Sequence, residues 1–327
     1  MKQFPFTNEE LTLAVNELPG LDTTIGNLGI FKAEYHATTR VRVDKKDSTL
    51  TLVKSQERGA GGEAGTSDKR TSRIFETVHL PRHRTVLAED VQNLRQFGGT
   101  GLERPVNYMN DALTAMKGDI DITREHLMLG ALNGKILDAD GSEIYDLYTE
   151  FDIKGGRTKK SWALSSADTK VGAKMDEAKR HIRKLSGGEV VSGFTVLCSP
   201  EFIDALKYHD SMVELYKRFE AGKVYREDGG VEFVHNGISF IEYNNDFGTE
   251  AAKVEAGSAI MLPNGTRSTF VEVFAPSDTI SAVNTLAKPY YASAELIGHE
   301  KGWDLEAQSN PLPLVLRPNL VITLTAD

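Results

Sequence analysis

The chain has 327 residues, 40% of them hydrophobic, with 38 Lys and Arg against 47 Asp and Glu for a formal charge of −9. That supplies ample material for a real core, in one large domain or two intimate ones. The negative balance argues against a dedicated nucleic-acid binder, because neutralising phosphates needs an excess of cations.

In chain order, the first forty residues read as an extended arm broken at Pro19-Gly20, Gly26 and Gly29, with one short helix from Asn8 to Asn16 in which Leu11 and Val15 are four apart. Arg40–Asp44 and Thr49–Leu52 alternate with the period of half-exposed strands, and Ile74, Val78 and Leu80 continue a second strand expected to stop near Pro81. Between them, Lys54–Arg73 is a long Gly-, Ser-, Thr- and charge-rich tip. Two strands and such a tip make a ribbon that cannot bury itself within one chain and needs a neighbour. Pro105 then opens a long helix: Met109, Leu113, Met116, Ile120, Leu127 and Ala131 share one apolar stripe, and Gly134 marks the end. At 1.5 Å per residue it is a rod of roughly 40 Å.

A hairpin follows at Ile136–Ile144, turning on Asp140-Gly141. Val171, Met175, Ala178, Ile182 and Leu185 form a second amphipathic helix ended by Gly187-Gly188, and a strand runs from Val190 to Leu197. Ser199 caps a helix through Leu206 with Pro200 at its first position. Val231–Phe240 is a hairpin on Asn236-Gly237, and Ala259–Leu262 and Phe270–Phe274 are strands around a Pro263-Asn264-Gly265 turn. The C-terminal strands are Ala292–Ile297, Trp303–Gln308 and Leu320–Leu324, with Pro311, Pro313 and Pro318 marking edges and bends.

No catalytic, cofactor-binding or metal site emerges. Cys198, the one cysteine, excludes an intrachain disulfide and reads as a buried small hydrophobe after the strand-like run Phe194–Leu197. Gly59–Ala64 matches a dinucleotide fingerprint formally, but the polar Thr66–Arg73 that follows carries no apolar stripe for the required helix. His79 and His83 have helical metal-ligand spacing that Pro81 breaks. Ser165, Ser166 and Ser199 lie in no nucleophile motif, and Asp119 and Asp121, flanking Ile120 on the long helix, diverge and read as a solvated face. Arg70, Arg73, Arg82, His83 and Arg84 form the one basic concentration; contact with sister subunits, contact with nucleic acid and plain surface charge all remain open for it. Met1–Glu10 has no apolar core of a signal peptide, no window approaches 18 apolar residues, and a reducing cytosol is the expected place of synthesis.

The C-terminal run Lys301–Leu314, followed by Arg317–Ile322, resembles the C-terminus of lambda-type major capsid proteins, the capsid protein E family of tailed phages. Val196–Phe202 is similar to the family's strand-to-helix step, Val234–Tyr243 to its central hairpin, Ala259–Gly265 to the next strand and turn, and Ile136–Gly141 to the hairpin after its long helix. The pieces recur in order over nearly the whole chain.

The resemblance implies an α+β, Hong Kong 97-type phage capsid fold. Residues 1–39 would be the N-terminal arm, 40–95 the extended loop, 96–164 the peripheral domain with its spine helix, 165–285 the axial domain and 286–327 the returning strands of the peripheral domain. It also implies a structural protein with no enzymatic activity and no cofactor, which assembles with itself into hexamers and pentamers of an icosahedral head around double-stranded DNA. The implied partners are a separate scaffolding protein, a portal and a decoration protein. DNA would be met without sequence reading, and no membrane is involved. The protein would reside in the virion after assembly in the host cytoplasm. An encapsulin-like nanocompartment shell is the alternative. A soluble α/β enzyme would need convergent catalytic groups, and none are present.

Overall fold

The first helix begins where two side chains satisfy each other's backbone. The Thr7 hydroxyl accepts from the Glu10 N–H and the Glu10 carboxylate accepts from the Thr7 N–H, a capping box that opens α1 (Asn8–Glu17). The computed structural model describes residues 7–46, 70–92, 94, 105–187, 189–218, 232–245, 247 and 253–327. A short helix α2 (Thr24–Asn27) and a strand β1 (Lys32–Tyr35) follow. Among the described residues, the strands β2 (Arg40–Lys46) and β3 (Arg70–Glu76) pair only with each other. The strand expected at Thr49–Leu52, the Gly59–Ala64 run and all but the end of the Lys54–Arg73 tip lie outside the described residues.

Next come β4 (Leu80–Leu87), α3 (Ala88–Val91) and the long helix α4 (Pro105–Asn133). α4 starts at its proline and stops before Gly134, whose φ of 87° an L side chain rarely adopts. Then follow β5 (Lys135–Leu137), β6 (Glu143–Asp146), α5 (Leu147–Glu150), β7 (Lys159–Ser161), α6 (Val171–Leu185) and β8 (Gly193–Cys198). The helices α7 (Pro200–Lys207) and α8 (Asp210–Arg218) precede the hairpin strands β9 (Glu232–His235) and β10 (Ile238–Glu242). The chain ends through β11 (Ser258–Asn264), β12 (Phe270–Phe274), β13 (Tyr291–Leu296), β14 (Gly302–Ser309), β15 (Pro311–Val315) and β16 (Ile322–Thr325).

The chain divides into two units, the first drawn from Met1–Val41, Ile74–Met128 and Val271–Leu314. It holds two three-stranded sheets, in the orders β13-β14-β4 and β1-β12-β15. β14 is the centre of the first, with Ala307 opposite Ala292 on one side and Arg82 on the other. The strand expected to stop near Pro81 is instead two strands: β3 ends at Glu76, and β4 runs straight through Pro81. An edge strand leaves one side of its backbone unpaired, so a residue with no N–H is tolerated there. α1 closes the opposite edge. Its Thr12 hydroxyl donates to the Ala292 carbonyl at 3.2 Å, and Asn16 reaches the Tyr290 carbonyl at 2.9 Å. Leu11, Val15, Met109, Leu113, Met116, Ile120 and Leu305 fill the core between.

The second unit, drawn from Arg42–Arg73, Leu129–Phe270 and Val315–Asp327, carries a six-stranded mixed sheet in the order β7-β16-β11-β8-β10-β9. β8 and β10 are parallel, while β11 runs antiparallel to both β8 and β16. The β9–β10 hairpin turns on Asn236 and Gly237 at φ 52° and 71°, as a two-residue turn with both central residues left-handed requires. Pro263 sits inside β11, past Met261, the last residue of β11 that pairs with β16, so its missing N–H removes no bond on that side. β16, from the stretch 286–327, pairs with β11, and β7, from 96–164, pairs with β16 at the edge of this sheet. Val171, Met175, Ala178 and Ile182 of α6 pack with Trp162, Phe202, Phe240 and Met261 into one apolar core. Cys198 is fully buried in that core, as its strand context predicts.

Candidate functional site

Among the described residues, no group of three or more His, Cys, Asp or Glu could hold a metal, and no helix is long and apolar enough to cross a membrane. His79 and His83 flank and occupy an extended strand, which puts them about 13 Å apart along the chain. They face separate partners: His79 Nδ1 lies 2.7 Å from Asn310 Oδ1, and His83 lies 4.0 Å from Glu306. Ser199 is a helix cap, its hydroxyl accepting from Phe202 N–H at 3.3 Å. Burial pushes the Cys198 thiol pKa far up, so no reactive thiolate forms there.

The side chains that do converge belong to α4. Asp119 and Asp121 are separated by a rotation of about 200° on the helix, and only Asp119 meets the solvated-face expectation. Asp119 is exposed and pairs with Arg82, whereas Asp121 is 6% exposed and bound on both oxygens. One oxygen accepts from Leu21 N–H at 3.0 Å and the other from the Tyr290 hydroxyl. One turn earlier, Lys117 donates to the Val15 and Leu18 carbonyls at 3.0 and 2.6 Å. One turn later, Glu125 accepts from Ile25 and Gly26 N–H at 2.8 and 3.1 Å.

Residues 117, 121 and 125 are thus an i, i+4, i+8 ladder along one line of the helix. It grips the backbone of residues 15–26 rather than its side chains. The cation takes the two carbonyls left over at the end of α1, and each carboxylate takes backbone N–H groups farther along. Charge-assisted bonds of this kind are about twice as strong as neutral ones. Burial lowers the Lys117 pKa, and burial raises that of Tyr290. Arg124 projects from the neighbouring line and holds Glu272 on β12 with two parallel bonds of 2.9 and 2.8 Å, stacked 5.1 Å from the Phe274 ring. Burial alone would lower its pKa, but the Glu272, Tyr290 and Asp121 oxygens outweigh that and the net shift is upward. None of this network was expected from the sequence. Its one local signal is the four-residue spacing of Lys117, Asp121 and Glu125, because the partners lie about a hundred residues or more away.

The basic concentration is met within the chain by several partners. Arg82 pairs with Asp119, Arg84 lies 5.9 Å from the Tyr108 ring, and Arg73 pairs with Asp152 at 2.5 Å. The β2–β3 ribbon buries Val41 and Phe75 but leaves Ile74 65% exposed, and among the described residues no third strand joins it.

The model of the family described as phage major capsid protein E matches residues 7–326. The major capsid proteins of Salmonella phage Felix O1 and Pseudomonas phage KPP10 are each 26% identical to this chain, over 97% of it and over 95% and 96% of their own lengths. Among solved structures, the capsid asymmetric unit of cyanophage Pam1 superposes with a TM-score of 0.52 at 10% identity, covering 91% of this chain and 88% of its own. A chain of Mycobacterium phage Che8 gives 0.51 at 13% identity over 91% and 89%. At such identities the likeness is one of fold, and the fold is the Hong Kong 97-type α+β capsid fold that the C-terminal motifs imply. The family match spans the segment held by Lys117, Asp121 and Glu125, the long helix and both units, and this chain belongs to the phage major capsid protein E family.

Proposed function

We propose that the protein assembles with itself into hexamers and pentamers that close into the icosahedral head of a tailed phage, enclosing its double-stranded DNA. The observation that carries this reading is the family match over residues 7–326. Two structural features support it. The β2–β3 ribbon is a two-stranded sheet with an exposed Ile74, and strands of that kind are stabilised by added neighbours. The arm is fastened to α4 through backbone atoms, which sets the direction in which it leaves.

In this reading residues 1–39 and 40–95 lace neighbouring copies together. Residues 96–164 and 286–327 form the peripheral domain, and 165–285 the axial domain. A separate scaffolding protein directs assembly in the host cytoplasm, a portal occupies one vertex, and a decoration protein is a further partner. The finished protein resides in the virion. Packaged DNA is met, where it is met at all, through charge alone, and Arg73 and Arg82 are already paired with Asp152 and Asp119 of their own chain.

The test is electron microscopy of the full chain expressed in bacteria, alone and with the neighbouring genes of its native genome. Closed shells or six-fold rings are expected, and a concentration-independent monomer in both samples overturns the reading. A nanocompartment shell shares the fold but encloses protein. Particles that copurify with an enzyme and never take up DNA favour that alternative.

A further inference from the structure

In the first unit a cavity of about 670 Å³ is lined by the start of α1, the segment between β12 and β13, and residues of β13 and β14. That volume lies within the roughly 300–1,000 Å³ of small-molecule sites. Its wall carries two carboxylates, Glu9 and Glu306, and one ammonium, Lys288, which forms no ion pair with either. α1 brings its N-terminal end to the cavity, and Glu10, tied to Thr7 in the capping box, offsets the partial positive charge there.

The wall hydroxyls have spent most of their hydrogens within the chain. Each has one hydrogen and two lone pairs. Thr12 donates to Ala292 O at 3.2 Å, and Thr285 donates to Ala282 O at 2.8 Å. Ser277, Thr279 and Ser281 share two bonds among three hydroxyls, at 2.7 and 3.3 Å, which leaves a single hydrogen over. The cavity is therefore richer in acceptors than in donors.

The deciding group is Gln308 of β14, which lines the cavity and is 2% exposed. Its Nε2 donates to Asp278 Oδ1 at 2.9 Å and lies 3.4 Å from Glu306 Oε1, which fixes the orientation of the amide. The other end of the amide, Oε1, is buried and accepts from no group of the protein. Buried acceptors without a donor are few in native structures, and this one faces a space large enough for a ligand that supplies it.

We propose that the cavity binds an aliphatic diamine, whose ammonium groups donate to Gln308 Oε1 and to the Glu306 and Glu9 carboxylates while its methylenes lie against Ala282, Ala292 and Ala294. An ammonium has three donors and no acceptor, the complement of this wall. Its bonds to carboxylates are about twice as strong as neutral ones. Every group of the site belongs to one chain, so the site is complete without assembly and stands apart from the shell reading.

Calorimetric titration of the full chain with diaminobutane at neutral pH is expected to show one saturable site per chain. Butanediol, of the same length but uncharged, is expected to give none. Glu9→Gln with Glu306→Gln is expected to keep the wild-type circular dichroism and weaken diamine binding by more than roughly tenfold. Gln308→Met, which removes the amide at similar length, is expected to weaken it roughly fivefold. No saturable heat, equal binding of butanediol, or many weak sites untouched by these variants overturns the proposal. Glu9 stands exposed in the first turn of α1, so Glu9→Gln alone decides where the double variant does not fold: weakened binding upholds the site, and unchanged binding overturns it.

Discussion

The two units differ in the charged side chains they bury. Among the described residues every fully buried Lys, Asp and Glu lies in the first unit: Lys117, Asp121, Glu125 and Glu272. The second unit is centred on Trp162, Met175, Phe202, Phe240 and Met261, and its apolar cluster is hydrocarbon apart from the Cys198 sulfur, three thioethers and one indole N–H. The physical reason lies in what each must hold. The second packs one amphipathic helix and a capped helix on a six-stranded sheet, a job that apolar area does without direction. The first must fix the poorly apolar segment of residues 18–30 at one register on α4, and direction comes from hydrogen bonds. Residues 18–30 offer only Ile25 as a fully buried side chain, so their backbone is held by charges instead.

If that contrast is right, removing one charge from the first unit has the largest effect. Arg124→Ala leaves Glu272 buried without its two guanidinium bonds and Asp121 without its nearest cation. The expected cost is about 3–5 kcal/mol, seen as a fall in the denaturation midpoint. Arg124→Met combined with Glu272→Leu removes both charges and is expected to recover most of it, since buried pairs replaced by apolar groups are often neutral. A single variant no worse than the double would mean that the pair contributes nothing and that the contrast is one of composition only.

The second unit should answer to volume instead. Met175 is fully buried on α6 against the sheet. Met175→Ala is expected to cost about 3 kcal/mol through the cavity left behind, and Met175→Leu under about 1.5. Thermal or urea unfolding of both variants measures the ratio. Equal losses from the two would show that the site depends on the thioether itself, which nothing in its surroundings explains.

The same contrast governs how much was legible in the sequence. The α4 stripe, α6, α7 and the Asn236-Gly237 hairpin are set by local pattern and capping, and they stand where periodicity puts them. β1 escaped because all four of its residues are exposed and show no alternation, and β15 because two prolines obscured an edge strand. Pro81 misled in the same way, since its position on a sheet edge is a tertiary fact. The capsid reading came from motifs spread over the chain rather than from any of these elements. Least legible was the polar network. Asp121 differs from Asp119 only in the side of α4 it occupies, and what makes it buried is Leu21 and Tyr290, 100 and 169 residues away.

The smallest effect separates the units at their helix starts. Glu10 at the start of α1 has its pKa held below the ordinary 4.5, first by the Thr7 backbone N–H and then by the Thr7 hydroxyl. A lowered folded value means the capping box contributes its full stability above the unfolded pKa and loses it as pH falls through the lower, folded value. Glu201 in the first turn of α7 is lowered as well, chiefly by its own backbone N–H and by Ser199. Both contributions fade in acid, but the consequences differ. The first turn of α7 carries the fully buried Phe202, whereas that of α1 has only exposed residues before Leu11. Amide exchange followed from pH 6 to pH 3 should therefore show the start of α1 opening while α7 stays protected. Glu10→Gln should remove the pH dependence at α1 by leaving it partly open throughout. Equal opening of the two helices would mean that the caps, not the core beneath α7, set the local stability, and the division between a polar-held and an apolar-held unit would not extend to their helix ends.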